Sequence, residues 1–119
     1  MVILNTPPTR YTAMAKHFAR EIQATLRDDL NRNPIFREFI MVSDPSGAEI
    51  LFAVLDERKL GEPLANYLNE TVVHQISTRL KGRPVAISNR SGARYAVLLK
   101  APPKLPDRIE FPEHLERDH

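Results

Sequence analysis

Glu38-Phe39-Ile40-Met41-Val42-Ser43-Asp44-Pro45-Ser46-Gly47-Ala48-Glu49-Ile50-Leu51-Phe52-Ala53-Val54-Leu55 decides the fold class. Glu38 to Val42 and Glu49 to Leu55 are rich in Ile, Val and Phe, residues that suit a pleated, half-buried surface. Between them, Asp44 suits the first position of a type I turn and Pro45 carries the φ of the second. Gly47 can take the left-handed conformation that returns the chain to strand pairing through a bulge. A second hairpin, Val85 to Leu99, turns through Ser88-Asn89-Arg90-Ser91-Gly92-Ala93. At an offset of 45 residues Ser43, Ser46, Gly47 and Ala48 match Ser88, Ser91, Gly92 and Ala93. The match raises an internal duplication, although the helices do not share the offset.

The flanking segments read as helices. Tyr11, Ala15, Phe18, Ile22, Leu26 and Leu30 recur at spacings of three and four, which predicts a helix over about residues 10–31. Thr9 or Thr12 can cap it, and Asn31, Asn33 and Pro34 end it. Residues 2 to 4 suit a short edge strand stopped by Pro7 and Pro8. Asp56 to Gly61 reads as a charged loop, and Pro63 opens a second helix that runs to about Lys81, with Asn69 a point where it breaks or re-caps. Gly82 stands where a left-handed C-terminal residue is wanted, after Arg79 and Lys81 in the turn where cations favour the helix dipole.

The order α-β-β-α-β-β predicts an α+β fold: a two-layer sandwich of two helices on a four-stranded antiparallel sheet. Residues 1–100 are expected to form one domain, and the proline-rich residues 101–119 an extended tail or linker. The strands are apolar on both faces. One face belongs under the helices, and the other is expected to leave Leu51, Leu55 and Leu98 as a patch beside Arg94 and Lys100, which predicts self-association or docking on a partner domain.

With 119 residues, 42% hydrophobic and 27% charged, the composition is that of a single globular domain. No apolar run approaches the roughly 18 residues that cross a membrane, and the N-terminus lacks the pattern of a signal peptide. The absence of cysteine excludes disulfides and thiolate chemistry. A cytoplasmic location is the expectation.

Charge is distributed unevenly. Residues 71–106 contain no acid and seven bases, against eight bases and ten acids before them and two and five after. Such a local excess steers polyanions more effectively than the net charge of +2 does. Arg79, Lys81, Arg83, Arg90, Arg94 and Lys100 are therefore the candidate nucleic-acid contacts, to phosphate backbone rather than to bases. The competing reading of the same residues is solvated charge that guards a sheet edge.

No catalytic constellation accompanies these bases. Four glycines, at 47, 61, 82 and 92, frame no phosphate loop. His17 and Glu21 share a helix face at i and i+4, a spacing that favours an ion pair over a two-ligand metal site. His74 is expected to be solvated near Thr78 and Lys81. The adjacent pairs Asp28-Asp29 and Asp56-Glu57 read as solvated turn charge, and Ser43, Ser46, Ser88 and Ser91 as turn residues that bond local backbone. Neither a cofactor nor a metal site is expected.

The run His74-Gln75-Ile76-Ser77-Thr78-Arg79-Leu80-Lys81-Gly82-Arg83-Pro84-Val85, with Ser88 to Leu99 and Pro102-Pro103-Lys104-Leu105-Pro106, resembles the segment that precedes the motor in FtsK/HerA-type DNA translocases, over about residues 70–112. The resemblance implies an accessory domain of a hexameric, ATP-driven machine. The motor's ATP-binding motifs are absent here, so no catalytic residue carries over. In topology alone, αββαββ resembles roadblock-type dimerisation modules. The expectation is thus a non-enzymatic accessory or interaction module of a DNA-handling assembly, with a homodimerisation or scaffold module as the alternative.

Overall fold

The computed structural model of the chain describes residues 9–26, 35–43, 47–100 and 108–113. Their order is α1 (Thr9–Leu26), β1 (Phe36–Ser43), β2 (Glu49–Leu55), α2 (Glu57–Leu60), α3 (Glu62–Leu80), β3 (Arg83–Ile87), β4 (Tyr95–Lys100) and β5 (Arg108–Ile109). The fold is α+β, with two differences from expectation. The stretch after Asp56 coils into the short α2 rather than a loop, Gly61 N donating to Glu57 O at 3.2 Å. Among the described residues the sheet has five strands, ordered β1-β2-β4-β3-β5, and is mixed because β5 runs parallel to β3. Two-residue β5 falls in the proline-rich tail and carries no strand signal of its own; its partner supplies one. The expected edge strand at 2–4, the helix beyond Leu26 and the turn at Asp44 to Ser46 lie outside the described residues.

Strand alternation divides the apolar side chains into two buried layers. Phe39, Met41, Leu51 and Val97 pack under Ala15, Ala19 and Ile22 of α1 and Val72, Val73 and Ile76 of α3. Ile40, Val42, Ile50, Phe52, Val85, Ala96 and Leu98 form the opposite layer with Phe111. The expected surface patch is therefore not a surface: Leu51, Leu55 and Leu98 are 1%, 3% and 5% exposed. Nor do they share a face, because the register sets Ile50 opposite Leu98 and Leu51 opposite Val97. Parity within a strand is legible in sequence; parity between strands depends on a register that only pairing sets. The 45-residue offset also carries Ile50 onto Tyr95 and Leu51 onto Ala96, which face opposite sides, so it does not map inward positions onto inward positions.

Helix α3 runs unbroken through Asn69, which is 1% exposed. The amide bonds both backbone groups of one residue at the start of β4: Asn69 Nδ2 donates to Tyr95 O at 3.2 Å, and Tyr95 N donates to Asn69 Oδ1 at 2.7 Å. At the other end the left-handed residue is Lys81, φ 59°, and not Gly82. Gly82 N donates to Ser77 O at 2.8 Å, closing the turn. Glycine is required at 82 for space, since a Cβ there would lie 2.8 Å from Leu98 O and 2.9 Å from Val97 Cγ1. The left-handed conformation costs a non-glycine residue roughly 1–2 kcal/mol. Lys81→Gly is accordingly expected to stabilise the chain by about 1 kcal/mol, read as a higher urea midpoint at unchanged slope.

Candidate functional site: the basic segment

The six candidate contacts separate into three groups. At the β3–β4 tip, Arg94 is 8% exposed, its Nε donating to Asn66 Oδ1 and its guanidinium to Glu57 Oε1 at 3.0 Å. Arg90 reaches the same Glu57 oxygen at 3.7 Å and lies over the Phe111 ring, 4.3 Å from its centroid. Gly92 makes this possible: its φ is 67°, and any Cβ would overlap the Asn66 side chain that Arg94 engages. The tip arginines are thus largely committed within the fold. Glu57, expected as solvated turn charge, is their shared counter-ion, and 37 residues of sequence separate it from Arg94.

Arg79 is committed as well. Its guanidinium bonds Glu21 at 2.6 Å and sits 4.9 Å from the Phe18 centroid, tying α3 to α1. Glu21 also receives His17 Nε2 at 3.2 Å, the i,i+4 contact expected from spacing. His74 is exposed, its Nδ1 2.8 Å from Glu70 O and its ring edge-on to Tyr95. The Glu70 carbonyl can only accept, so this contact needs the proton on Nδ1.

Lys81, Arg83 and Lys100 make up the third group, and all three are exposed. None has an ion pair with a described residue. Arg83 is registered with Leu98, and the packing of Gly82 on Leu98 O sets Lys81 beside the end of β4. Arg83 and Lys100 therefore share the Leu98 face at one end of the sheet. Glu49 is the described acid nearby, opposite Lys100 in the ladder. At about 3.4 Å per residue, the six steps from Arg94 to Lys100 span about 20 Å. Lys81 and Arg83 stand at the end of the hairpin away from the tip that holds Arg90 and Arg94.

Two open cavities lie among the described residues. One of about 470 Å³ at the hairpin tip is lined by Glu57, Glu62, Asn89, Arg90, Ser91 and Arg94, with Glu57 paired to both arginines. The other, about 490 Å³ between α1 and β1, has Lys16, Arg20, Arg37 and Glu38 on its walls and Phe36 and Phe39 among its lining. No helix among the described residues is long and apolar enough to cross a membrane. Asn66, Asn89 and Phe111 carry much of the polar and aromatic architecture with no role assigned to them from sequence, and Asn69, expected as a break in the helix, instead anchors Tyr95. An asparagine inside the apolar stripe of a helix is the one signal that would have marked Asn69. No protein family, curated protein or solved structure matches the chain, so the site is read from its own geometry.

Proposed function

We propose that this chain is a non-enzymatic accessory module of a DNA-handling assembly, and that it touches phosphate backbone through Lys81, Arg83 and Lys100. The observation that supports this is their placement: three exposed cations at one end of the sheet, without an ion pair to a described residue. Arg79, Arg90 and Arg94 contribute positive potential but hold the fold together. Three phosphate contacts give weak, salt-sensitive affinity. That suits a module presented in several copies, where weak contacts add through effective concentration. The scaffold alternative loses its motivating feature, because Leu51, Leu55 and Leu98 are buried within one chain.

Fluorescence anisotropy with labelled single- and double-stranded DNA across a salt series tests the proposal, with molar mass measured in the same buffers. The Lys81→Glu/Arg83→Glu/Lys100→Glu variant is expected to lose at least tenfold in affinity on duplex DNA. Its slope of log affinity against log salt is expected to be shallower by about 3, near 0.9 for each phosphate contact removed. Absence of wild-type binding at about 50 mM salt, or an unchanged slope in the variant, would overturn it. A stable dimer that ignores DNA would favour the scaffold reading.

A further inference from the structure

Residues 108–113 are attached to the sheet by very little ladder. Among the described residues β5 spans Arg108–Ile109, registered as Ala86 with Arg108 and Ile87 with Ile109. Beyond that, side chains and loop backbone of the hairpin take over. Ser88 N donates to Ile109 O at 2.8 Å, and Ser88 Oγ reaches the same oxygen at 3.3 Å. Asn89 then holds both backbone groups of Phe111: its Nδ2 donates to Phe111 O at 2.8 Å, and Phe111 N donates to its Oδ1 at 2.7 Å. The Phe111 ring is 3% exposed, edge-on to Phe52 at 5.1 Å between centroids and capped by the Arg90 guanidinium on the side. Pro112 is buried and, having no N–H, asks for no further donor pairing.

We infer that the β3 edge and the hairpin tip form a peptide-recognition cleft for an extended Ile-X-Phe-Pro segment, occupied by the chain's own Ile109-Glu110-Phe111-Pro112. The division of labour is that of strand-addition sites: main-chain bonds hold the peptide while a pocket selects alternate side chains. Ile109 and Phe111 are the alternate residues, and both pack on the same layer. The β1–β4 ladder does not depend on the segment, because its registers run wholly among those four strands. Opening of the cleft is therefore a local event, below global unfolding in free energy. It removes the Phe111 ring from Arg90 and uncovers Phe52, so occupancy of the cleft is coupled to the state of the hairpin tip. Lys81, Arg83 and Lys100 take no part, and the inference stands or falls independently of DNA binding.

Hydrogen exchange on the full chain tests it. In the wild type, the amides of Ser88 and Phe111 are expected to exchange at least tenfold slower than free peptide but faster than those of Ile50 to Val54. Asn89→Ala, which alters an exposed side chain and leaves the core volume intact, is expected to speed exchange at Ser88 and Phe111 at least tenfold with β2 unchanged. In Phe111→Ala, a hexapeptide with the sequence of residues 108–113, at about 1 mM to compete with a tethered segment, is expected to restore the slow exchange at Ser88. The same peptide with alanine at its phenylalanine is expected not to. Unprotected Phe111 in the wild type, equal acceleration of β2 in Asn89→Ala, or failure of the peptide to restore protection would each overturn the inference. Should Phe111→Ala not fold, Asn89→Ala decides on the first two readouts alone.

Discussion

Replacing Asn69 by leucine is expected to destabilise the chain by about 3 kcal/mol, although the position lies in the apolar stripe of a helix and the new residue is both apolar and a better helix former. The reason is Tyr95. Both its N–H and its C=O are bonded to the Asn69 side chain, and it begins β4, which sits between β2 and β3 in the sheet. Leucine would leave a donor and an acceptor unpaired next to a side chain that is 1% exposed. Each buried orphan costs about 1–3 kcal/mol, more than the about 1 kcal/mol by which leucine's transfer and propensity gains could offset it. Urea unfolding should show a lower midpoint at unchanged slope, and the melting temperature should drop by about 10 °C or more. A change within about 0.5 kcal/mol would mean that the amide does not hold β4.

Arg94→Glu is the second substitution expected to have a large effect, and the effect is on folding rather than on DNA. It removes the bonds to Asn66 and Glu57 and places a carboxylate facing Glu57 at a position only 8% exposed. Loss of the charged hydrogen bonds and introduction of like-charge repulsion are expected to cost about 3 kcal/mol or more. Arg90→Ala should cost about 1 kcal/mol or less: its 3.7 Å ion pair is to a half-exposed Glu57, and solvent screens such pairs. Thermal or urea unfolding of the two variants side by side checks the difference. Equal stability would mean that Arg94 is surface charge, free for a ligand. Charge reversal at Arg94 is consequently a poor probe of phosphate contact, whereas the exposed Lys81, Arg83 and Lys100 can be reversed without dismantling a network.

Much of the architecture is determined by the sequence alone. The 3.6-residue stripe of Tyr11, Ala15, Phe18 and Ile22, the β-branched runs of both hairpins and the turn chemistry around Gly92 specify α1, β1 to β4 and the β3–β4 turn, because periodicity and turn preference are local properties. The acid-free stretch 71–106 is equally legible, as is the His17–Glu21 contact, which needs only helix spacing. Other features were decided by the tertiary structure. The faces of Leu51 and Leu98 depend on the β2–β4 register; the left-handed residue is Lys81, and glycine at 82 is needed for space against β4. Above all, the tertiary structure sorts the bases: Arg94 meets Glu57 and Asn66, Arg79 meets Glu21, and Lys81, Arg83 and Lys100 are left outside. Charge density along a chain is a sum over neighbours in sequence, whereas the field a ligand meets depends on which counter-ions folding brings within a few ångströms.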